Sequence, residues 1–118
     1  MRISYILTTF SPAMFGDKAS IHLKTISVDE AKQIIDDKTE IVATRASHEN
    51  LAKNIFGITR TARFADMRPE KEAILIHYRG PAVSDDGLTP ATGVVTLYLI
   101  ESENYLEAED ECDGTVDT

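Results

Sequence analysis

The chain has 118 residues, a formal net charge of −8 and one cysteine. That length makes one domain with a single modest core, and Cys112, alone in a polar stretch, cannot build a disulfide framework or a zinc site. No apolar run approaches a membrane span, and the run at residues 3–9 is too short for a signal-peptide h-region, so a soluble protein of a reducing cytoplasm is expected.

Residues 2–9 are β-rich and mostly apolar, the pattern of a buried central strand. Residues 10–16 break it with a turn or short helical piece around Pro12, ended by Gly16. Ile21, Leu23 and Thr25 alternate with His22, Lys24 and Ile26 as a second strand. Ser27 to Glu30 is a capping box that opens a helix with Val28, Ala31, Ile34 and Ile35 on its apolar face. Residues 40–44 form a short strand leading into a second helix. There Ser47 is the expected N-cap, His48 the first helical residue, and Glu49 and Asn50 fit the first turn. Leu51, Ala52, Ile55 and Phe56 then repeat at helical spacing until Gly57 stops the run. Residues 59–65 read as a strand with Arg60 and Arg63 on opposite faces. Residues 67–72 are a polar turn containing Pro69. Residues 73–79 and 94–100 are apolar, β-branched strands, and the loop of residues 80–90 between them is long enough to carry a function.

Residues 101–118 hold eight acidic side chains and no basic one, so the other 100 residues carry twelve of each sign. Between Arg45 and Arg79 seven basic residues face Glu49, Asp66, Glu70 and Glu72, so the folded part is able to host an anion despite the acidic total. The expected organisation is an α+β (mixed α/β) domain over residues 1–102. It has a five- or six-stranded mixed sheet and two main helices, and an acidic flexible tail follows at residues 103–118.

His48 is the residue that carries chemistry. At a helix start it lies beside free backbone N–H groups and the positive end of the dipole, where an anion, a phosphate above all, is the natural ligand. An imidazole there can protonate a phosphate oxygen. Its plain alternative is a solvated polar residue. Ser11 is either a ligand contact or the cap of the Pro12 turn. Arg60 and Arg63 read equally as solvated strand residues, His22 and His77 as structural, and Asp85 and Asp86 beside Gly87 as an ordinary turn. No cluster has metal-ligand spacing, and no glycine-rich phosphate loop is present. No metal or cofactor is expected.

Four stretches taken together resemble the small viral and prokaryotic ring nucleases, which include anti-CRISPR proteins that degrade cyclic tetra-adenylate. Tyr5-Ile6-Leu7-Thr8-Thr9-Phe10-Ser11 is similar to the family's opening strand, which ends in Asn-Ala-Phe-Ser. Thr44-Arg45-Ala46-Ser47-His48-Glu49 with Phe56-Gly57 is similar to its Ser-x-Ile-Gly-His-Glu helix and closing Leu-Gly. Ala62-Arg63 sits where the family has Asn-Arg, and residues 78–85 are similar to its strand end and Arg-Leu-x-Glu-Gly loop. The likeness spans about residues 2–101.

The resemblance implies two protomers closing over one cyclic oligonucleotide in a prokaryotic host cell, without metal. The ribose 2′-OH attacks its own phosphorus while the motif histidine protonates the leaving 5′-oxygen. It assigns acid catalysis to His48 and the loop carboxylate to Asp85. Ligand contacts fall on Thr8, Ser11, Ser47 and Arg63, with Arg79 or Arg45 as candidates for a missing cation. The departures are specific: the family's loop arginine aligns with Ala82, its loop glutamate with the shorter Asp85, the next glycine with Asp86, and the first-motif asparagine with Thr8. Losing an electrostatic stabiliser costs about 10²–10³ in rate.

Three functions therefore stand as expectations. The first is a metal-independent ring nuclease acting as a homodimer on a cyclic oligoadenylate, matching a symmetric ligand with a two-fold interface. The second is a non-catalytic sponge for the same class of signal, favoured by Ala82. The third is an inhibitor that offers its acidic tail to a basic partner. Neither a membrane nor a long nucleic acid is an expected partner.

Overall fold

The computed structural model describes residues 3–16, 19–67 and 71–104. Strand β1, Ile3–Leu7, is apolar but for Ser4, because it is covered on both faces and flanked on both edges. A single 3₁₀ turn at Pro12–Met14 follows, then β2 at Ala19–Ile26, α1 at Val28–Ile34, β3 at Glu40–Val42 and α2 at Ala46–Phe56. The two-residue β4, Thr61–Ala62, precedes β5 at Glu72–Arg79 and β6 at Val94–Asn104.

Among the described residues these strands make one six-stranded mixed sheet in the order β2-β6-β5-β1-β3-β4, and with the two helices there the fold is α+β. The β5-β1-β3-β4 half is parallel, while β6 runs antiparallel to both β5 and β2. One face carries the helices: Ala31 of α1 and Leu51, Ala52 and Phe56 of α2 pack with Ile3, Ile6, Ile41, Ile74, Ile76, Leu97 and Leu99. The other face buries Tyr5, Leu7, Val42, Ala73 and Ile100 under Met14, Phe15, Ala65 and Met67. A backbone bond from Met67 N to Met14 O, 2.7 Å, ties the two covering segments together. Met67 is thus fully buried, which the expected polar turn at residues 67–72 does not anticipate; its Pro69 lies outside the described residues.

Both helix starts follow from local chemistry, with one shift. Ser27 accepts from Glu30 N at 3.1 Å and Glu30 Oε1 accepts from Ser27 N at 3.0 Å, so the capping box is complete. Val28, however, is exposed, because the seven-residue helix turns only Ala31 fully onto the sheet. For α2 the expected Ser47 cap is corrected. The helix starts two residues earlier, with Arg45 as an extended N-cap that has no side-chain cap bond. Arg45 O takes Glu49 N at 2.9 Å, so the first backbone bond closes without Ser47, and a side chain already in helical geometry no longer reaches over the end. Gly57, at φ 71°, ends the helix by donating its N–H to Lys53 O.

Two strand lengths also differ from expectation. The strand expected over residues 59–65 shrinks to Thr61–Ala62, pairing only with Ile41 and Val42 of the three-residue β3. Arg60 and Arg63 flank it, both exposed. Strand β6 outruns its expected end at residue 100 and crosses the 102/103 boundary, because Glu101, Ser102, Glu103 and Asn104 pair with His22, Ile21, Ser20 and Ala19. The expected tail at residues 105–118 lies outside the described residues.

Candidate functional site

Strand β1 ends at Leu7, opposite Leu75 of β5, while β5 continues to Arg79. Ile76, His77 and Tyr78 therefore stand as a wall beyond the carboxyl end of β1. Thr8, directly after β1, is held there by Thr8 N to Val42 O at 3.1 Å and, more loosely, Thr8 Oγ1 to the same carbonyl at 3.3 Å. From β3 the chain passes directly into α2, whose first turn forms the opposite wall. The result is a cleft of about 150 Å³ lined by Thr8, His48, Leu51, Ile76, His77 and Tyr78. Ligands of sheets with parallel strands gather at this place, outside the strands' carboxyl ends and against a helix start.

His48 is the third helical residue rather than the first, and it is half-buried. The backbone bond of Glu49 to Arg45 leaves the N–H groups of Ala46, Ser47 and His48 in the unpaired first turn of α2. Glu49, the acidic residue of that turn, is drawn back along the helix to Lys53 at 2.8 Å. The positive end of the dipole is thereby less compensated by its own carboxylate. An imidazole, a hydroxyl and unpaired amides beside the apolar Leu51 and Ile76 suit a phosphate ester whose leaving oxygen needs a proton.

The other sequence candidates are dispersed. Ser11 is the cap of the 3₁₀ turn, accepting from Ala13 N at 3.3 Å, and it does not line the cleft. Ser47 lies in the first turn beside His48. Arg45, Arg63 and Arg79 are exposed and none lines the cleft. Asp85 meets α2 through its backbone: Asn50 Nδ2 donates to Asp85 O at 2.8 Å, and Asn54 Nδ2 donates to Asp86 O at 2.9 Å. The structured carboxylate of the loop is Asp86, which accepts from Leu88 N at 3.2 Å and from Ser84 Oγ. Those bonds, the serine first, hold its carboxyl below the usual aspartate range.

Sequence reasoning missed the part played by four residues. His77 was expected to be structural, yet it borders the cleft. Alternation puts its side chain with Ala73 and Leu75 on the face away from the helices, so it borders with backbone. Tyr78 lines the cleft and donates its hydroxyl to Pro81 O at 2.6 Å, bracing the base of the loop. Asn50, read from the sequence only as a first-turn residue, and Asn54, one helical turn on, both donate to the loop instead. A second cavity of about 330 Å³ opens at the far end of α2, between Asp36–Asp37 and Phe56–Arg60, and holds none of the expected catalytic or ligand-contact residues. Among the described residues no group of three or more His, Cys, Asp or Glu converges on a point, and no helix is long and apolar enough to cross a membrane.

No protein-family model matches the chain, and no curated protein matches it. Among solved structures, B116 of Sulfolobus turreted icosahedral virus has a similar fold, with a TM-score of 0.51 over 83% of this chain and 97% of that one. The sequences are 13% identical, so the likeness concerns the fold alone.

Proposed function

We propose that the chain is a metal-independent ring nuclease that binds a cyclic oligoadenylate, most simply the tetramer, and opens it, suppressing cyclic-nucleotide immune signalling from within a prokaryotic cell. The observation that carries this reading is His48 in the unpaired first turn of α2, facing Thr8 across a cleft at the ends of parallel strands. A phosphate seated on the helix amides would present its 5′-oxygen to the imidazole. As the ribose 2′-OH attacks phosphorus and gives its proton to solvent, the P–O5′ bond breaks and the imidazole protonates the leaving 5′-oxygen, which leaves a linear product ending in a 2′,3′-cyclic phosphate. General acid catalysis supplies about 10²–10⁴-fold, and in-line alignment of the 2′-OH supplies the rest of the acceleration. A cleft of about 150 Å³ is smaller than a cyclic tetranucleotide, so the reading requires two protomers to enclose the ring. The similar viral fold is compatible with a virus-borne protein.

A sponge that holds the ring uncut is the second reading. It is favoured by the loop that carries the exposed Ala82, where the resembling family has arginine. The deciding experiment incubates the protein with cyclic tri-, tetra- and hexa-adenylate in EDTA and resolves bound from cleaved nucleotide. Opening of the tetramer with a 2′,3′-cyclic phosphate end is expected. Retention without opening establishes the sponge, and a plain 3′-phosphate at the earliest times implicates an activated water instead.

A further inference from the structure

The loop between β5 and β6 is fastened to the helix that carries His48, and the geometry points to Asn50 and Asn54 as positioning residues that hold this loop fixed beside the Tyr78 wall of the cleft. The fastening has four independent parts. Two carboxamides one turn apart donate to consecutive carbonyls, Asp85 O at 2.8 Å and Asp86 O at 2.9 Å. Gly87 is buried directly on the backbone of Asn50 and Leu51, where a Cβ would come within 2.4 Å of Asn50 C. Val83 packs into the helix-side core. At the base, Tyr78 grips Pro81 O from the cleft wall.

The loop is also internally braced, through Gly87 N to Ser84 O at 2.9 Å and Ser84 Oγ to Leu88 O at 2.9 Å. Asn50 lies two residues beyond His48, and Leu51, which lines the cleft, lies directly under Gly87. The loop leaves β5 at the cleft wall, where Tyr78 both lines the cleft and holds Pro81 O, so the two asparagines fix the loop relative to that wall. A wall already ordered before binding spares the ligand the entropy of ordering it, and that gain appears in affinity rather than in the chemical step. This inference rests on the proposed function for its ligand, but the fastening itself is a property of the free protein.

The test compares the parent with Asn50→Asp/Asn54→Asp, which keeps side-chain shape, removes both donors and sets carboxylates against the loop carbonyls. Two neutral hydrogen bonds contribute about tenfold together in an exposed setting. Hydrogen exchange of the Gly87 and Leu88 amides should therefore accelerate by about tenfold or more in the ligand-free variant, while amides of β1 and β5 are unchanged. With cyclic tetra-adenylate, the dissociation constant should rise by about tenfold and the single-turnover rate at saturation should change less than about twofold. Unchanged loop exchange overturns the fastening. Faster exchange with unaltered affinity overturns its positioning role, as does a loss confined to the saturated rate. If the parent binds no cyclic oligoadenylate, the proposed function fails while the exchange comparison still decides the fastening.

Discussion

Gly57 and Gly87 both have positive φ, 71° and 84°, yet they should respond very differently to alanine. At Gly57 an added Cβ meets nothing within 4 Å, so the only penalty is left-handed backbone, about 1–2 kcal/mol. The reduced freedom of the unfolded chain returns about 0.4–1 kcal/mol of it. Gly57→Ala should therefore cost about 1 kcal/mol, near 4–8 °C in melting temperature for a domain of this size. At Gly87 the same Cβ falls 2.4 Å from Asn50 C and 2.5 Å from Leu51 N, both backbone atoms of α2 that cannot step aside. Overpacking of that kind adds about 1–3 kcal/mol.

The sum has a ceiling, because the loop can leave the helix. Detachment gives up the two asparagine bonds, about 0.5–1.5 kcal/mol each, and part of the burial of Val83, about 1 kcal/mol. Gly87→Ala should thus level off at about 2–4 kcal/mol and release the loop, while Gly57→Ala leaves it docked. Urea unfolding of both variants, with hydrogen exchange of loop amides, measures the two quantities. Equal destabilisation by the two alanines would refute the reasoning, since it would mean that backbone strain, not collision with α2, decides the cost at Gly87.

His48→Ala should abolish ring opening in EDTA while cyclic tetra-adenylate binding stays within about tenfold, because an acid acts mainly in the transition state; equal turnover by variant and parent removes His48 from the reaction. Ala82→Arg, which restores a guanidinium to the loop, should raise the single-turnover rate by about five- to a hundredfold, whereas weakened binding with no cleavage marks a sponge with a reshaped pocket. Glu72 faces Glu101 across β5 and β6, and burial first, then that neighbouring carboxylate, hold its carboxyl above the ordinary value of 4.5. A raised carboxyl binds its proton more tightly folded than unfolded, so stability is lost as pH climbs from the unfolded value through the folded one. Glu72→Gln should then melt above the parent at about pH 7, with the difference fading below about pH 4.5; a difference constant across that range removes the Glu72–Glu101 repulsion.

What the sequence determined by itself was whatever a few neighbouring residues settle among themselves. The Ser27–Glu30 capping box closes within one turn, Gly57 supplies a left-handed stop that other residues resist, and Pro12 opens the 3₁₀ turn that Ser11 caps. The mostly apolar run of β1 declared it central, since only a strand covered on both faces dispenses with polar alternation. Histidine at the start of a helix was legible for the same local reason, to within two residues.

Tertiary structure decided everything that depends on a distant partner. Residues 101–104 are polar and acidic in the sequence, yet they are strand because β2 offers them an eight-residue ladder. Residues 59–65 have strand composition but only a three-residue neighbour, so pairing ends after two. The cleft itself exists because β5 runs past the end of β1, a register that no local pattern encodes. The docking of the 80–93 loop likewise waits on two asparagines more than 30 positions away in the chain. Hydrogen-bond donors on an exposed helix face look alike in sequence. Only the approach of a second backbone, made close by Gly87, gives Asn50 and Asn54 their carbonyls.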